Sequence, residues 1–182
     1  MKKIVLLLLT LFSCISYSQI SEGQYFCDET KDGSYFPLSI DKKKILWFST
    51  FYLETKTETK IINGKTYIEY KQDWDKSNSS LMYLREENGV IYEYDSEEKN
   101  EDVRYDPKFE KGHQWKTADG KSEYEIIAFD GKLKTPYCDY KDLLVIHAKM
   151  GYGEYNFYYF KGHGYIGATK NDKLISCVTP KW

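Results

Sequence analysis

Residues 55–74 read TKTETKIINGKTYIEYKQDW and specify a β-hairpin. In the first half, threonines alternate with charged residues, so one face of a strand carries β-branched side chains and the other is solvated. Asn63-Gly64 follows, and this dipeptide is typical of two-residue turns in which both positions need a positive φ. The residues after the turn alternate again. The pattern predicts two antiparallel strands, Ile45–Ile62 and Lys65–Trp74.

Working outward, further short strands separated by turn residues fill the chain, about eight to ten in all. Asp41–Lys44 is predicted as a charged turn, Ser96–Asp102 as a charged loop, and Asp130-Gly131 as a turn. No segment has convincing helical periodicity. Tight sequential hairpins predict an all-β fold, a single antiparallel meander that forms a strongly curved sheet, a barrel or a sandwich. Asn88-Gly89 is predicted as a second hairpin turn, and Val103–Tyr105 as an extended segment. The remaining predicted strands are Leu81–Arg85, Val90–Tyr94, Glu123–Phe129, Asp142–Met150, Glu154–Phe160, Tyr165–Lys170 and Leu174–Val178.

The N-terminus has the layout of a secretory signal peptide. A positive start is followed by the apolar run Ile4–Phe12 and then by small polar residues. One interpretation is cleavage after Ser18. The other is a lipobox ending at Cys14, in which Phe12 is bulky for its position. We expect a signal peptide at 1–18, an N-terminal extension at 19–33 and one β domain at 34–182. The protein is then exported to the periplasm or the medium, or anchored in the outer membrane by a lipid on Cys14.

The net charge and the aromatic content of the chain restrict the kinds of molecule that it can bind. The formal net charge is −2 and falls to −4 when Lys2 and Lys3 leave with the signal, because two positive charges are lost. The chain therefore lacks the basic excess that nucleic-acid binding needs. Its 18 Tyr, 9 Phe and 4 Trp suit half-buried pleated surfaces, where a ring packs and a hydroxyl stays in water.

Three cysteines remain if Cys14 is lost with the signal: Cys27, Cys138 and Cys177. An odd number in an oxidising compartment predicts one disulfide and one spare thiol. The sequence does not choose the pair. The wide spacings and the absence of C-x-x-C argue against zinc binding and thioredoxin-type chemistry.

Several landmarks resemble a family of small secreted or lipid-anchored β domains of unknown function, common in Bacteroidota. The resemblance spans roughly residues 34 to 170 and implies a fold and a compartment rather than a chemistry. Its pieces are Phe36-Pro37-Leu38 followed by Trp47, the hairpin at Asn63-Gly64, Gly112 followed by Trp115, the run at 140–145 and the run at 158–167.

No catalytic, metal-binding or cofactor-binding motif outweighs its structural explanation. Residues 75–79 match the metal-adhesion pattern D-x-S-x-S but lack its α/β context. His147 lies in a predicted strand without a nucleophile at a known spacing. The acidic group Glu97, Glu98, Glu101 and Asp102 is best explained by solvation. We therefore name no catalytic residue, no metal ligand and no cofactor.

The candidate binding residues are aromatic. One face of the strand at 154–160 carries a row of three rings that could be exposed for sugar stacking or protein contact, or be packed in the core. The residues are Tyr155, Phe157 and Tyr159, joined by Tyr152 and His163 from the adjoining turns and by Tyr165 from the start of the next strand.

Three functions follow as hypotheses. The first is an exported, non-enzymatic envelope protein that contacts another protein through this aromatic-rich surface. The second is a carrier that holds a lipid or other apolar small molecule in a curved sheet, by analogy of fold alone. The third is a secreted hydrolase, ranked last because its residues cannot be named.

Overall fold

The computed structural model describes Cys27 and residues 33–75, 78–117 and 119–180. Within these residues it contains twelve β-strands and no helix. The predicted signal peptide, the alternative lipid site at Cys14 and most of the 19–33 extension lie outside the described residues. The strands are β1 Lys42–Trp47, β2 Thr50–Ile62, β3 Lys65–Trp74, β4 Ser79–Glu87, β5 Val90–Asp95, β6 Asn100–Tyr105, β7 Gln114–Lys116, β8 Glu123–Lys134, β9 Asp139–Met150, β10 Gly153–Phe160, β11 Gly164–Lys170 and β12 Lys173–Val178.

All twelve strands belong to one antiparallel sheet, which confirms the predicted all-β meander. Each half, β1–β6 and β7–β12, runs up and down between neighbours. The halves join where β1 pairs with β12, with Ile45 opposite Val178. Strands β6 and β7 are the two edges, so the hydrogen-bonded ladder is not closed into a barrel.

The sheet is nevertheless curved enough for its two halves to meet. Ile91 of β5 and Ile126 of β8 are fully buried in the same hydrophobic cluster, although eight strands separate β5 from β8 in the sheet. A salt bridge of 3.2 Å between Lys121 and Glu98 joins the turns beside the two edge strands. The edges β6 and β7 therefore face each other across a seam that side chains span, and the sheet encloses an interior.

The seam is packed with aromatic rings at its other end. Phe109, in the β6–β7 connection, lies 6.3 Å from Tyr105 and 5.3 Å from Trp115 between ring centroids. The segment before β1 also enters here, because Phe36 stacks on Tyr105 at 5.0 Å and Tyr35 meets it edge-on. The N-terminal segment thus caps one end of the interior.

Some local predictions are wrong. The strand expected over Ile45–Ile62 is two strands, since Phe48 has a φ of 51° and starts a turn between β1 and β2. Asp41–Lys44 is not a charged turn, because β1 begins at Lys42. The expected charged loop at Ser96–Asp102 ends early, because β6 begins at Asn100. Asp130-Gly131 is not a turn either: β8 continues through it with register shifts against β9.

The disulfide joins Cys27 to Cys138, with Cα atoms 5.6 Å apart, and Cys177 is a buried free thiol. The prediction of one bridge and one spare thiol among these three cysteines is therefore confirmed. The bridge ties the segment before β1 to the β8–β9 connection. Among the residues that the structure describes, no helix is long and apolar enough to cross a membrane.

A cluster of charged side chains lies on β3, β4 and β6. Arg85 is three positions after Met82 in β4, so these two side chains point to opposite faces of the sheet. The Arg85 guanidinium donates to both carboxylate oxygens of Glu101, at 2.6 and 2.7 Å. Tyr67 and Lys65 also donate to Glu101. The hydrogen bonds from Arg85, ahead of those from Tyr67 and Lys65, lower the pKa of Glu101 from 4.5 to about 2.

The first hairpin offers a test of local conformation. Gly64 has a φ of +76°, and a Cβ there would meet no atom within 4 Å. Gly64→Ala should therefore lower the free energy of unfolding by about 1 kcal/mol, through backbone conformation alone. The measurement is urea unfolding monitored by circular dichroism. Gly151→Ala is the control, because that site is equally open and has no positive φ, and its stability should stay within about 0.5 kcal/mol. Equal losses in both variants would contradict the assignment of the turn.

Candidate functional site

The interior of the curved sheet holds a cavity of about 210 Å³. Its wall includes residues of both edge strands, Arg104 of β6 and Trp115 of β7, and of the strands between them. The cavity therefore exists because the halves curve toward each other, and it adjoins the β6–β7 seam. The alternation of strands explains the lining, because every second residue of each strand faces inward.

Aromatic side chains supply much of the wall. Trp115 and Tyr124 stack on each other, with centroids 5.3 Å apart and ring planes 24° apart. The ring of Phe109 also packs against Trp115, at a centroid distance of 5.3 Å. The half-buried rings on the cavity, which keep surface free for a ligand, are Trp47, Trp115, Tyr124, Phe157 and Tyr165. Such rings give flat apolar surface of fixed orientation.

A charged pair lies among these rings. Arg104 donates through Nη1 to Glu93 Oε2, and the guanidinium carbon is 5.9 Å from the centroid of Phe36. Both side chains keep 34% of their surface accessible although they face the interior. A salt bridge in a core is normally dry, so this accessibility indicates polar groups that face an open cavity.

Tyrosine hydroxyls add neutral hydrogen-bonding groups. Burial raises the pKa of Tyr159 to about 12, although Arg104 beside it acts in the opposite direction. Burial likewise holds the pKa of Tyr165 well above its usual value, and its hydroxyl donates to Ser176 Oγ at 2.8 Å. Both phenols are therefore neutral at physiological pH, and each can donate as well as accept.

A second, smaller compartment of about 70 Å³ adjoins the first. Glu54, Arg104 and Tyr159 line both. Lys43, on the neighbouring strand opposite Glu54, closes the smaller one. Burial lowers the pKa of Lys43, while Glu54 raises it in part. Glu54 also accepts from Gln72 Nε2 at 2.9 Å, so the inner polar groups form connected pairs.

The predicted aromatic row faces this interior rather than forming an outer surface. Tyr155 and Tyr159 are buried, at 5% and 7% exposure. Phe157, Tyr159 and Tyr165 line the cavity. The remaining two candidates lie elsewhere: Tyr152 is 71% exposed in the β9–β10 turn, and His163 stacks on Phe160 in the β10–β11 turn.

Sequence reasoning missed Glu93 and Arg104, and it used Trp115 only as a landmark. Glu93 belongs to the predicted strand at 90–94, two positions from the apolar Ile91, and this spacing is the signal that could have placed it on the inner face. Arg104 lies in a segment predicted to be extended. Their pairing across β5 and β6 depends on the strand that replaces the expected charged loop.

The other sequence candidates do not form a catalytic constellation. His147 Nδ1 is 2.9 Å from Asn156 Oδ1, and its Nε2 is 3.6 Å from Glu154. The acidic group at 97–102 is divided: Glu98 pairs with Lys121, Glu101 with Arg85, and Asp102 lines the cavity. Across the part of the chain that the structure describes, no group of three His, Cys, Asp or Glu side chains could hold a metal ion.

In the loop at 75–79, Lys76 and Ser77 lie outside the described residues. Asp75 there accepts a hydrogen bond from Thr50 at 2.5 Å. This contact links the loop to the start of β2, as a structural role predicts.

Comparison with known proteins gives a sparse result. No protein-family model matches the chain, and no curated protein sequence matches it. A crystal structure of a protein from Parabacteroides distasonis, assigned provisionally as a lipoprotein, aligns with 81% of this chain and 97% of its own at 12% identity and a TM-score of 0.41.

Proposed function

We propose that this protein binds a small organic molecule in the cavity between the two halves of its sheet. The observation that carries the proposal is the Arg104–Glu93 pair, which keeps a third of its surface accessible inside an aromatic-lined interior. Ligand sites commonly combine an apolar, aromatic wall with a few polar groups that orient the ligand. This proposal keeps the carrier hypothesis but changes its ligand from a lipid or apolar molecule to a polar one. The signal-peptide layout of the N-terminus supports export.

The size and polarity of the cavity restrict the ligand. At about 210 Å³ it is smaller than the roughly 300–1,000 Å³ of sites for drug-sized ligands. A long acyl chain would not be enclosed, and the charged pair does not suit a purely apolar guest. We therefore propose a ligand the size of one ring with polar substituents.

Contact with a partner protein through the aromatic row has less support. A docking surface needs exposed rings, and Tyr155 and Tyr159 are buried. Tyr152 alone of the six candidates presents a large exposed ring. The protein partner stays a prediction, and pull-down from an envelope extract would test it.

The test of ligand binding is a thermal-unfolding screen of the exported protein against a chemically diverse set of small molecules. A ligand present at 100 times its Kd should stabilise the protein by about 2.7 kcal/mol and raise Tm by several degrees. The Trp115→Ala variant should lose most of that shift. The control Tyr152→Ala removes an aromatic ring outside the cavity and should keep it. If no compound shifts Tm, or if both variants respond alike, the proposal is wrong.

A further inference from the structure

Two pairs of opposite charges, Arg104 with Glu93 and Lys43 with Glu54, line the two interior compartments. Their walls contain three carboxylates, Glu54, Glu93 and Asp102, and three cations, Lys43, Arg104 and Lys116. Arg104 donates to Glu93, and Lys43 lies opposite Glu54 on the neighbouring strand, whereas Lys116 donates to Glu123 outside the cavity. A ligand with a net charge would have to displace an existing partner inside a partly desolvated site.

The pairing of opposite charges does not use all the hydrogen-bond donors and acceptors of these side chains. A carboxylate accepts at about four positions and a guanidinium has five N–H groups, while Glu93 and Arg104 use one contact with each other. Gln72 and the neutral phenol of Tyr159 can donate and accept nearby. The complementary chemistry is a ring with several hydroxyls, because each hydroxyl both donates and accepts without adding charge.

The aromatic wall complements the other side of such a molecule. A sugar ring presents C–H groups on its faces, and these pack on flat aromatic surface. Trp115 of β7 and Tyr124 of β8 lie directly opposite each other, and both line the cavity and are only half-buried. The hydroxyls around the edge of such a ring lie beside the wall, and Glu93 and Arg104 line the same cavity.

We infer that the ligand of this cavity is a neutral sugar or a similar polyhydroxylated ring, with Trp115–Tyr124 as the stacking surface and Glu93–Arg104 as the hydrogen-bonding pair. The inference rests on the proposed small-molecule site and specifies its ligand class. It gives Glu93 and Arg104 a role in orientation rather than in charge recognition. A cationic amine or an anionic carboxylate is the alternative that the experiment must distinguish.

Isothermal titration calorimetry on the exported protein tests this, with glucose, galactose and N-acetylglucosamine as neutral probes and glucosamine and glucuronic acid as charged counterparts. At least one neutral sugar should bind, and its charged counterparts should bind at least about tenfold more weakly. Trp115→Ala should weaken the neutral sugar by about tenfold, while Tyr152→Ala leaves it unchanged. Glu93→Gln retains an acceptor and should weaken it less than Glu93→Ala.

The outcomes separate the two proposals. If a charged probe binds more tightly than every neutral sugar, the cavity recognises the charge of its ligand and the inference is overturned. If no sugar binds while a compound of the thermal screen does so in a Trp115-dependent manner, the inference fails and the small-molecule site stands. If neither experiment yields a ligand, both fail. Circular dichroism of each variant checks folding, and Trp115→Phe, which keeps an aromatic face, should restore part of the affinity lost in Trp115→Ala.

Discussion

Glu101→Gln should lower the free energy of unfolding by about 3 kcal/mol at pH 7. The carboxylate is held by Arg85, Tyr67 and Lys65, and only 17% of its side chain is exposed. Its pKa falls from 4.5 to about 2 in the folded protein, and each unit corresponds to about 1.4 kcal/mol. The variant keeps the shape of the side chain but removes the charge that Arg85 contacts.

The pH dependence of this effect has a definite sign. The pKa of Glu101 is lower in the folded than in the unfolded state, so its contribution is fully present above pH 4.5. It is lost as pH falls from 4.5 toward about 2, because the unfolded chain takes up the proton first. Urea unfolding between pH 7 and pH 2 should show the wild-type and variant stabilities converging over that window.

Glu97→Gln is the matched control for this measurement. It makes the same chemical change on an exposed side chain of the β5–β6 turn, and its stability should stay within about 0.5 kcal/mol of the wild type. A Glu101→Gln variant that loses no more than Glu97→Gln at pH 7 would show that the Arg85 cluster adds little to stability.

Removal of the disulfide should have an effect of similar or greater size. Cys27 and Cys138 are 111 positions apart, so the bridge removes a large amount of conformational freedom from the unfolded chain. In the chain-entropy account, a bridge of this span stabilises by about 3–4 kcal/mol once some loss to strain is allowed. The double variant Cys27→Ser, Cys138→Ser should unfold at a correspondingly lower urea concentration.

Cys177→Ala is the control that separates loss of the disulfide from loss of a sulfur atom. It removes a buried thiol and leaves the bridge intact, so the expected loss is about 1 kcal/mol. Reduction of the wild type with dithiothreitol should reproduce the double variant and should leave the stability of the double variant unchanged. A reduced wild type with the stability of the oxidised protein would refute the assigned role of the bridge.

The sequence predicted the features that local chemistry controls. The turns at Asn63-Gly64 and Asn88-Gly89 adopt positive φ at all four positions, as their residue types require. The alternation of β3 and the apolar run of β9 also indicated strands where strands occur, and residues 143–146 of β9 are buried on both faces of the sheet.

Features that depend on distant parts of the chain were not predictable. The turn at Phe48 interrupts a continuous β-pattern because β1 must pair with β12, and nothing near residue 48 indicates this. Gly131 lies within β8, and glycine is needed there because a Cβ would overlap the side chain of Val145 on the next strand. Tertiary packing overrides turn propensity at both places.

The residues of the candidate site were also predictable from the sequence only in part. Alternation showed that Tyr155, Phe157 and Tyr159 share a face, but not whether that face points outward, because this depends on how the whole sheet curves. Glu93 and Arg104 resemble ordinary solvated charges in the sequence. Their role is visible only when β5 and β6 face β7 and β8 across the interior.

The pairing of β1 with β12 sets the order in which this chain can acquire its structure during synthesis. Each half can assemble from neighbouring hairpins, whereas the centre of the sheet brings together the first and last strands. Such a contact closes a loop of nearly the entire domain and forms slowly. A nascent chain therefore lacks its central strand pair until β12 has been synthesised, however early the hairpins of the first half form.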